Sequence, residues 1–144
     1  MCCCELQPLH PQRPDALNAT TRLLSGGWEL CLVPQVLYEY WVVATRPENV
    51  NGLGLDQRTA EQALDQLIES YRLLRDERGI FGQWRQLLAG QPVLGKPAHD
   101  ARLVAAMIRH GLTRLLTFNT RDFSRFPEIM AVAPADVLTQ TPLH

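Results

Sequence analysis

Glu39 is the only charged side chain between Val33 and Thr45, on the flank of an apolar helical face with Val36 and Val43 to either side. Asp100 heads the stripe Leu103, Val104 and Met107 at i+3, i+4 and i+7, which turns it toward a core rather than away from it. Asn119 and Asp122 directly follow the apolar run Arg114–Phe118. Each has an ordinary reading. Glu39 suits the solvent edge of a helix, Asp100 the positive end of a helix macrodipole, and Asn119 and Asp122 a turn. Together they define another chemistry. Three acids from three segments, gathered at one sheet edge, repel one another unless a cation neutralises them, and all-oxygen ligands suit Mg²⁺ or Mn²⁺ rather than zinc. Such a cluster commonly serves phosphoryl chemistry, in which a metal ion lowers the pKa of a bound water and offsets charge on the phosphate.

The elements that must position these residues alternate between helical and strand-like patterns. A helix is expected from Pro14 to Leu24, closed by Gly26 and Gly27, and then a strand over Trp28–Val33. Pro34 opens a helix that runs to Thr45, and Pro47 ends it. The turn-rich segment 48–55 lacks both the G-x-G-x-x-G spacing of a dinucleotide site and the Lys-Ser/Thr of a P-loop, and is expected to be a connector. Helical spacing returns over 56–71, through Ile80, Phe81, Trp84, Leu87 and Leu88, and over Ala98–His110. Arg72–Arg75, Thr113–Phe118 and Ile129–Ala133 complete the strand candidates. Strands separated by helices imply an α/β fold with a parallel sheet, helices on both faces, and chemistry outside the carboxyl ends of the strands.

Composition narrows the class further. A chain of 144 residues with 46% hydrophobic and 20% charged residues suits one domain spanning 1–144, with 1–9 as an atypical N-terminal stub. Lys and Arg number 14 against 15 Asp and Glu, which argues against a generally cationic DNA-coating protein while leaving room for a local basic groove. No apolar stretch approaches the ~20 residues of a membrane-spanning helix. The opening MCCCELQPL lacks a positive n-region and an apolar core, so it does not read as a secretory signal and a cytoplasmic location is expected. Consecutive Cys2, Cys3 and Cys4, with Cys31 distant, fit neither a spaced disulfide framework nor a C-x-x-C zinc site. His99 adjoins Asp100 and has the reach to contact phosphate, with a structural helix-end role as the ordinary alternative, whereas His10 and His110 carry no functional pattern. Arg102, Arg121 and Arg125 lie near the acids in sequence and suit substrate phosphates.

Four ordered blocks carry a family resemblance. They are Leu-Cys-Leu-Val-Pro-Gln-Val-Leu-Tyr-Glu-Tyr-Trp-Val-Val-Ala-Thr-Arg-Pro (30–47), Asn-Gly-Leu-Gly-Leu (51–55), Ala-His-Asp-Ala-Arg-Leu-Val-Ala-Ala-Met (98–107) and Leu-Leu-Thr-Phe-Asn-Thr-Arg-Asp-Phe (115–123). From about His10 to Val137 the chain resembles the PIN-domain family, and within it the VapC-type toxins. The resemblance implies a PIN-like three-layer fold with strand order 3-2-1-4-5. It also implies a Mg²⁺- or Mn²⁺-dependent ribonuclease, a small antitoxin protein as partner, and a homodimer. Glu39 matches the family's glutamate on the helix after the second strand, and Asp100 the acid opening the helix before the fourth. Asn119 and Asp122 match the polar and acidic positions just beyond that strand, and Thr117 the small hydroxyl position among them. The implied catalytic set is thus Glu39, Asp100, Asp122 and Asn119, with the three acids as metal ligands and with Thr117, Arg102 and Arg121 toward substrate.

The family opens with an apolar strand carrying Asp-x-Asn, where this chain has Met-Cys-Cys-Cys-Glu before Leu6–Pro11. Glu5 directly precedes Leu6 and is not assigned the missing role. The expectation is therefore a first strand truncated or absent, two unpaired edges at the sheet centre that the stub Met1–Leu6 fills at most in part and without supplying the aspartate, and poor stability and activity. It entails either a start upstream of Met1 or an inactive module that still binds RNA or an antitoxin.

Overall fold

The computed structural model describes residues 3–6 and 14–139. Five strands form one sheet: β1 (Cys3–Leu6), β2 (Glu29–Leu32), β3 (Arg72–Leu73), β4 (Arg114–Leu116) and β5 (Met130–Val132). Their order is β3-β2-β1-β4-β5 and every pairing is parallel. Parallel neighbours need long crossovers. Here these are supplied by α1 (Pro14–Ser25), α2 (Pro34–Thr45) with α3 (Gln57–Ser70), α4 (Ile80–Gly90) with α5 (Pro97–Arg109), and the short α6 (Thr120–Phe123). A last helix, α7 (Pro134–Thr139), packs on α1.

The expected gap at the sheet centre is filled. β1 pairs with β2 through Cys3–Glu29, Cys4–Leu30 and Glu5–Cys31, and with β4 through Glu5–Leu115 and Leu6–Leu116. The truncated-strand expectation weighed side-chain identity, but a parallel ladder is made by backbone N–H and C=O groups that every non-proline residue carries. Leaving the inner edges of β2 and β4 without partners would cost ~1–3 kcal/mol for each buried group. A short Cys-Cys-Glu-Leu segment avoids that cost. Residues 1–2 and 7–13, which complete the expected stub and the start of the resemblance, lie outside the described residues.

The other strands are shorter than their apolar runs. Trp28 and Val33 flank β2, and Thr113, Thr117 and Phe118 flank β4. Leu30, Leu32, Val33, Val36, Val104, Met107 and Leu115 form the centre of the core, and α5 contributes Ala101 and every residue from Leu103 to Met107 to it. α3 begins where its sequence says it should, at the N-cap Asp56, whose Oδ1 accepts the Thr59 amide at 2.7 Å. The connector 48–55 folds back on the end of α2: Leu53, Gly54 and Leu55 donate to the Val43, Arg46 and Ala44 carbonyls. Gly52 lies so close to the Arg46 carbonyl that a side chain there would collide with it.

Among the described residues no helix is long and apolar enough to cross a membrane.

Candidate functional site

α2 leaves the carboxyl end of β2, and α5 begins on the same side of the sheet because it must run back before β4 starts. Thr117, Asn119 and Asp122 follow the carboxyl end of β4. Parallel topology thereby gathers the three acid-bearing segments at one edge.

Asp100 lies half-buried in the first turn of α5, after Pro97. Burial pushes its pKa up to about 6, and the negative charges of Asp122 and Glu39 push the same way, while Lys96 and Arg125 act in the opposite direction. Asp100 is therefore within electrostatic reach of both other acids and of two cations. Their spacing is open: among the described residues no three His, Cys, Asp or Glu side chains lie close enough to form a ready metal shell.

Glu39 is partly buried, and its Oε1 accepts a hydrogen bond from Gln35 Nε2 at 3.1 Å. The same Gln35 nitrogen donates to the His99 carbonyl at 2.7 Å, and Gln35 Oε1 accepts from Arg102 Nη1 at 2.9 Å. Gln35 is only 6% exposed. A buried primary amide with no partners would be costly, and this one joins α2 to the backbone beside Asp100. Sequence reasoning passed over it. The available signal was a polar residue one helical turn before Glu39, on a face otherwise apolar.

Arg102, expected to face substrate, is held by Gln35 and by Asp76 Oδ2 at 3.4 Å. Thr117 is 1% exposed and builds the turn: its Oγ1 accepts the Asn119 amide at 3.0 Å, and the Asn119 carbonyl then accepts the Asp122 amide at 3.1 Å. Asn119, Arg121 and Asp122 are exposed on that turn and the short α6. Arg125 stands beyond α6, where its carbonyl accepts Gln91 Nε2 at 2.8 Å. Lys96, the single lysine of the chain, is a cation four residues before Asp100. β1 brings the Glu5 backbone between Cys31 and Leu115, on the strand between those that precede α2 and Thr117.

No family model and no curated protein matches this chain. Solved structures share its fold. A chain of VapBC2 from Rickettsia felis, bound to a DNA fragment from its promoter, superposes with a TM-score of 0.67 at 14% identity, covering 91% of this chain and 98% of that one. VapBC-1 from nontypeable Haemophilus influenzae gives 0.66 at 17% identity, with 94% and 99% covered. A toxin–antitoxin complex from Klebsiella pneumoniae gives 0.62 at 19% identity, with 91% and 97% covered. The fold is thus an α/β architecture shared, nearly end to end, with chains of toxin–antitoxin complexes.

Proposed function

We propose that this protein is a metal-dependent endoribonuclease with a PIN-like three-layer fold, the toxin of a VapBC-like pair, which hydrolyses RNA phosphodiester bonds. The observation that carries the reading is the convergence of Asp122 and Glu39 on half-buried Asp100, with Lys96 and Arg125 beside it. A structural acid in a helix's first turn gains nothing from two like-charged neighbours, whereas a cation-binding site needs them. The all-oxygen donor set fits Mg²⁺ or Mn²⁺ by its chemistry.

Asp100, Glu39 and Asp122 would hold the ion, which supplies a water of lowered pKa and offsets charge gathering on the phosphate. The chain's own residues do the rest. Gln35 fixes the Glu39 carboxylate and ties it to the backbone at His99. Lys96 and Arg125 offer positive charge to substrate phosphates near Asp100, and Thr117 shapes the turn from which Asn119 and Asp122 project. Arg121, exposed on α6, adds a further phosphate contact.

The toxin–antitoxin complexes among the structural neighbours support a small antitoxin as partner. An apolar groove of ≈ 560 Å³ between α2 and α3, lined by Leu37, Tyr38, Trp41, Val42 and Leu64, suits the apolar face of such a protein. A homodimer and a cytoplasmic location belong to the same reading. The open spacing of the acids favours one alternative, an inactive module of the same fold that binds RNA or the antitoxin without cutting.

The test is cleavage of single-stranded RNA in Mg²⁺, Mn²⁺ and EDTA by wild type and Asp100→Asn, with folding checked by circular dichroism. Cleavage is expected with either metal and lost, by at least 100-fold, in EDTA or in the variant. Undiminished cleavage by folded Asp100→Asn, or in EDTA, overturns the assignment. RNA binding with no cleavage under any condition selects the inactive module.

A further inference from the structure

A second cavity, of ≈ 470 Å³, opens between α4 and the start of α5. Its walls include Phe81, Trp84, Arg78, His99 and Arg102. The Phe81 and Trp84 rings form a tilted pair with centroids 5.9 Å apart, and Trp84 is fixed by donating Nε1–H to the Ala98 carbonyl at 2.8 Å. Phe81 nevertheless stays 65% exposed. Trp84 packs against the core while Phe81 presents its ring to solvent beside it, so Phe81 offers a free face on which a planar group can stack.

The charge of the cavity mouth has one sign left over. Asp76 is paired with Arg102, and Glu77 with Arg109 through Oε1 at 2.6 Å and Oε2 at 3.1 Å. Arg78 takes part in none of the ion pairs among the described residues and is exposed. An aromatic face with a cation at its rim is the combination that takes an unpaired nucleobase and its adjoining phosphate. The cavity also adjoins the acidic site. His99 lines it while the next residue, Asp100, belongs to the acidic cluster, and consecutive Cα atoms are only about 3.8 Å apart. Gln35 spans both, with one end on Glu39 and the other on Arg102 in the cavity wall.

We propose that the cavity between α4 and α5 is a base-binding subsite, in which an unpaired nucleobase of single-stranded RNA stacks on Phe81 with its phosphate toward Arg78, one or two nucleotides from the acidic cluster. The proposal rests on the nuclease reading for the choice of RNA, and deepens it by placing recognition in the base rather than in the backbone alone.

The probe is a fluorescein-labelled single-stranded RNA of mixed sequence, titrated in EDTA and followed by anisotropy, alongside the same backbone carrying abasic residues. Phe81→Ala should weaken binding of the RNA roughly 5- to 100-fold, the range of one lost base–aromatic stack. Phe81→Trp should keep it, and the exposed, remote Leu17→Ala should leave it unchanged. The abasic strand should bind wild type and Phe81→Ala alike. Equal RNA binding by Phe81→Ala and wild type, or no RNA binding by wild type, overturns the subsite. A Phe81→Ala protein that binds RNA normally but changes its sedimentation does so too, and marks the face as a protein contact. Parallel Mg²⁺ cleavage separates the two readings: cleavage that is indifferent to Phe81 leaves the nuclease and removes the subsite, whereas Phe81-dependent binding without cleavage does the reverse.

Discussion

Asp100 carries a charge that the fold penalises. Its pKa in the folded protein, about 6, lies above the usual carboxylate value of 3.8, so between those values the folded state binds the proton more tightly than the unfolded chain does. The penalty is fully present above pH 6, shrinks as pH falls toward 4, and is absent below the unfolded value. For a half-buried carboxylate, screened in part by solvent, it amounts to about 1–2 kcal/mol. Asp100→Asn should therefore raise the melting temperature of metal-free protein at pH 7.5 and have little effect at pH 4, as read by thermal unfolding across that range. Glu39→Gln and Asp122→Asn should act in the same direction, since each removes a like charge. Destabilisation by ~1–3 kcal/mol would instead mean that these acids hold the fold together. Gln35 is the opposite case. Gln35→Ala removes the buried amide that joins the His99 carbonyl, Glu39 and Arg102, and should cost ~1–3 kcal/mol in urea unfolding.

Among the elements, β1 has the least sequence signal and the most central place. It pairs on both sides, through Cys3–Glu5 with β2 and through Glu5 and Leu6 with β4, so its paired amides exchange only when the sheet opens. Cys4→Pro should remove a ladder bond from the middle of the sheet and lower stability by ~1–3 kcal/mol or more, whereas Cys4→Val should be tolerated. Hydrogen exchange gives the companion measurement: the Glu5 and Leu6 amides should be protected to the same degree as those of β2 and β4. Fast exchange there would restore the expectation of a sheet open at its centre. α5 does the converse work, burying one continuous run, Leu103–Met107, so that its first turn is held rigidly where Asp100 and His99 diverge to two different sites.

For the molecule as a whole, charge sets the style of nucleic-acid binding. With a net charge of −1 the molecule is not generally cationic, and the cations assigned to RNA are few: Lys96, Arg121 and Arg125 by the acids, Arg78 at the aromatic pair. About four phosphate contacts on a single strand predict a slope near −3 in a plot of log affinity against log salt concentration. Anisotropy titrations between 50 and 200 mM salt, roughly the range over which such slopes are read, check this. A slope steeper than about −5 would mean that a surface not described by these residues carries the binding.

The amino-acid sequence by itself determined the succession of helices and most strands, because their signals are local: apolar spacing at 3.6 or 2 residues, Pro34 opening a helix, Gly26 and Gly27 closing one. It also singled out Glu39, Asp100, Asn119 and Asp122, since acids on apolar faces and after strands are visible without coordinates. What only the tertiary structure decided are relations between distant segments. The central place of β1 depends on backbone groups, which have no side-chain signature, and on the cost of leaving β2 and β4 unpaired. That Gln35 reaches 64 residues along the chain to the His99 carbonyl, that Arg102 turns to Gln35 and Asp76, and that Phe81 and Trp84 wall a cavity beside Asp100 are consequences of how α2, α4 and α5 pack. Periodicity tells which face of a helix is buried, but the partner that face meets is fixed by the crossovers of the parallel sheet, and those are properties of the whole chain.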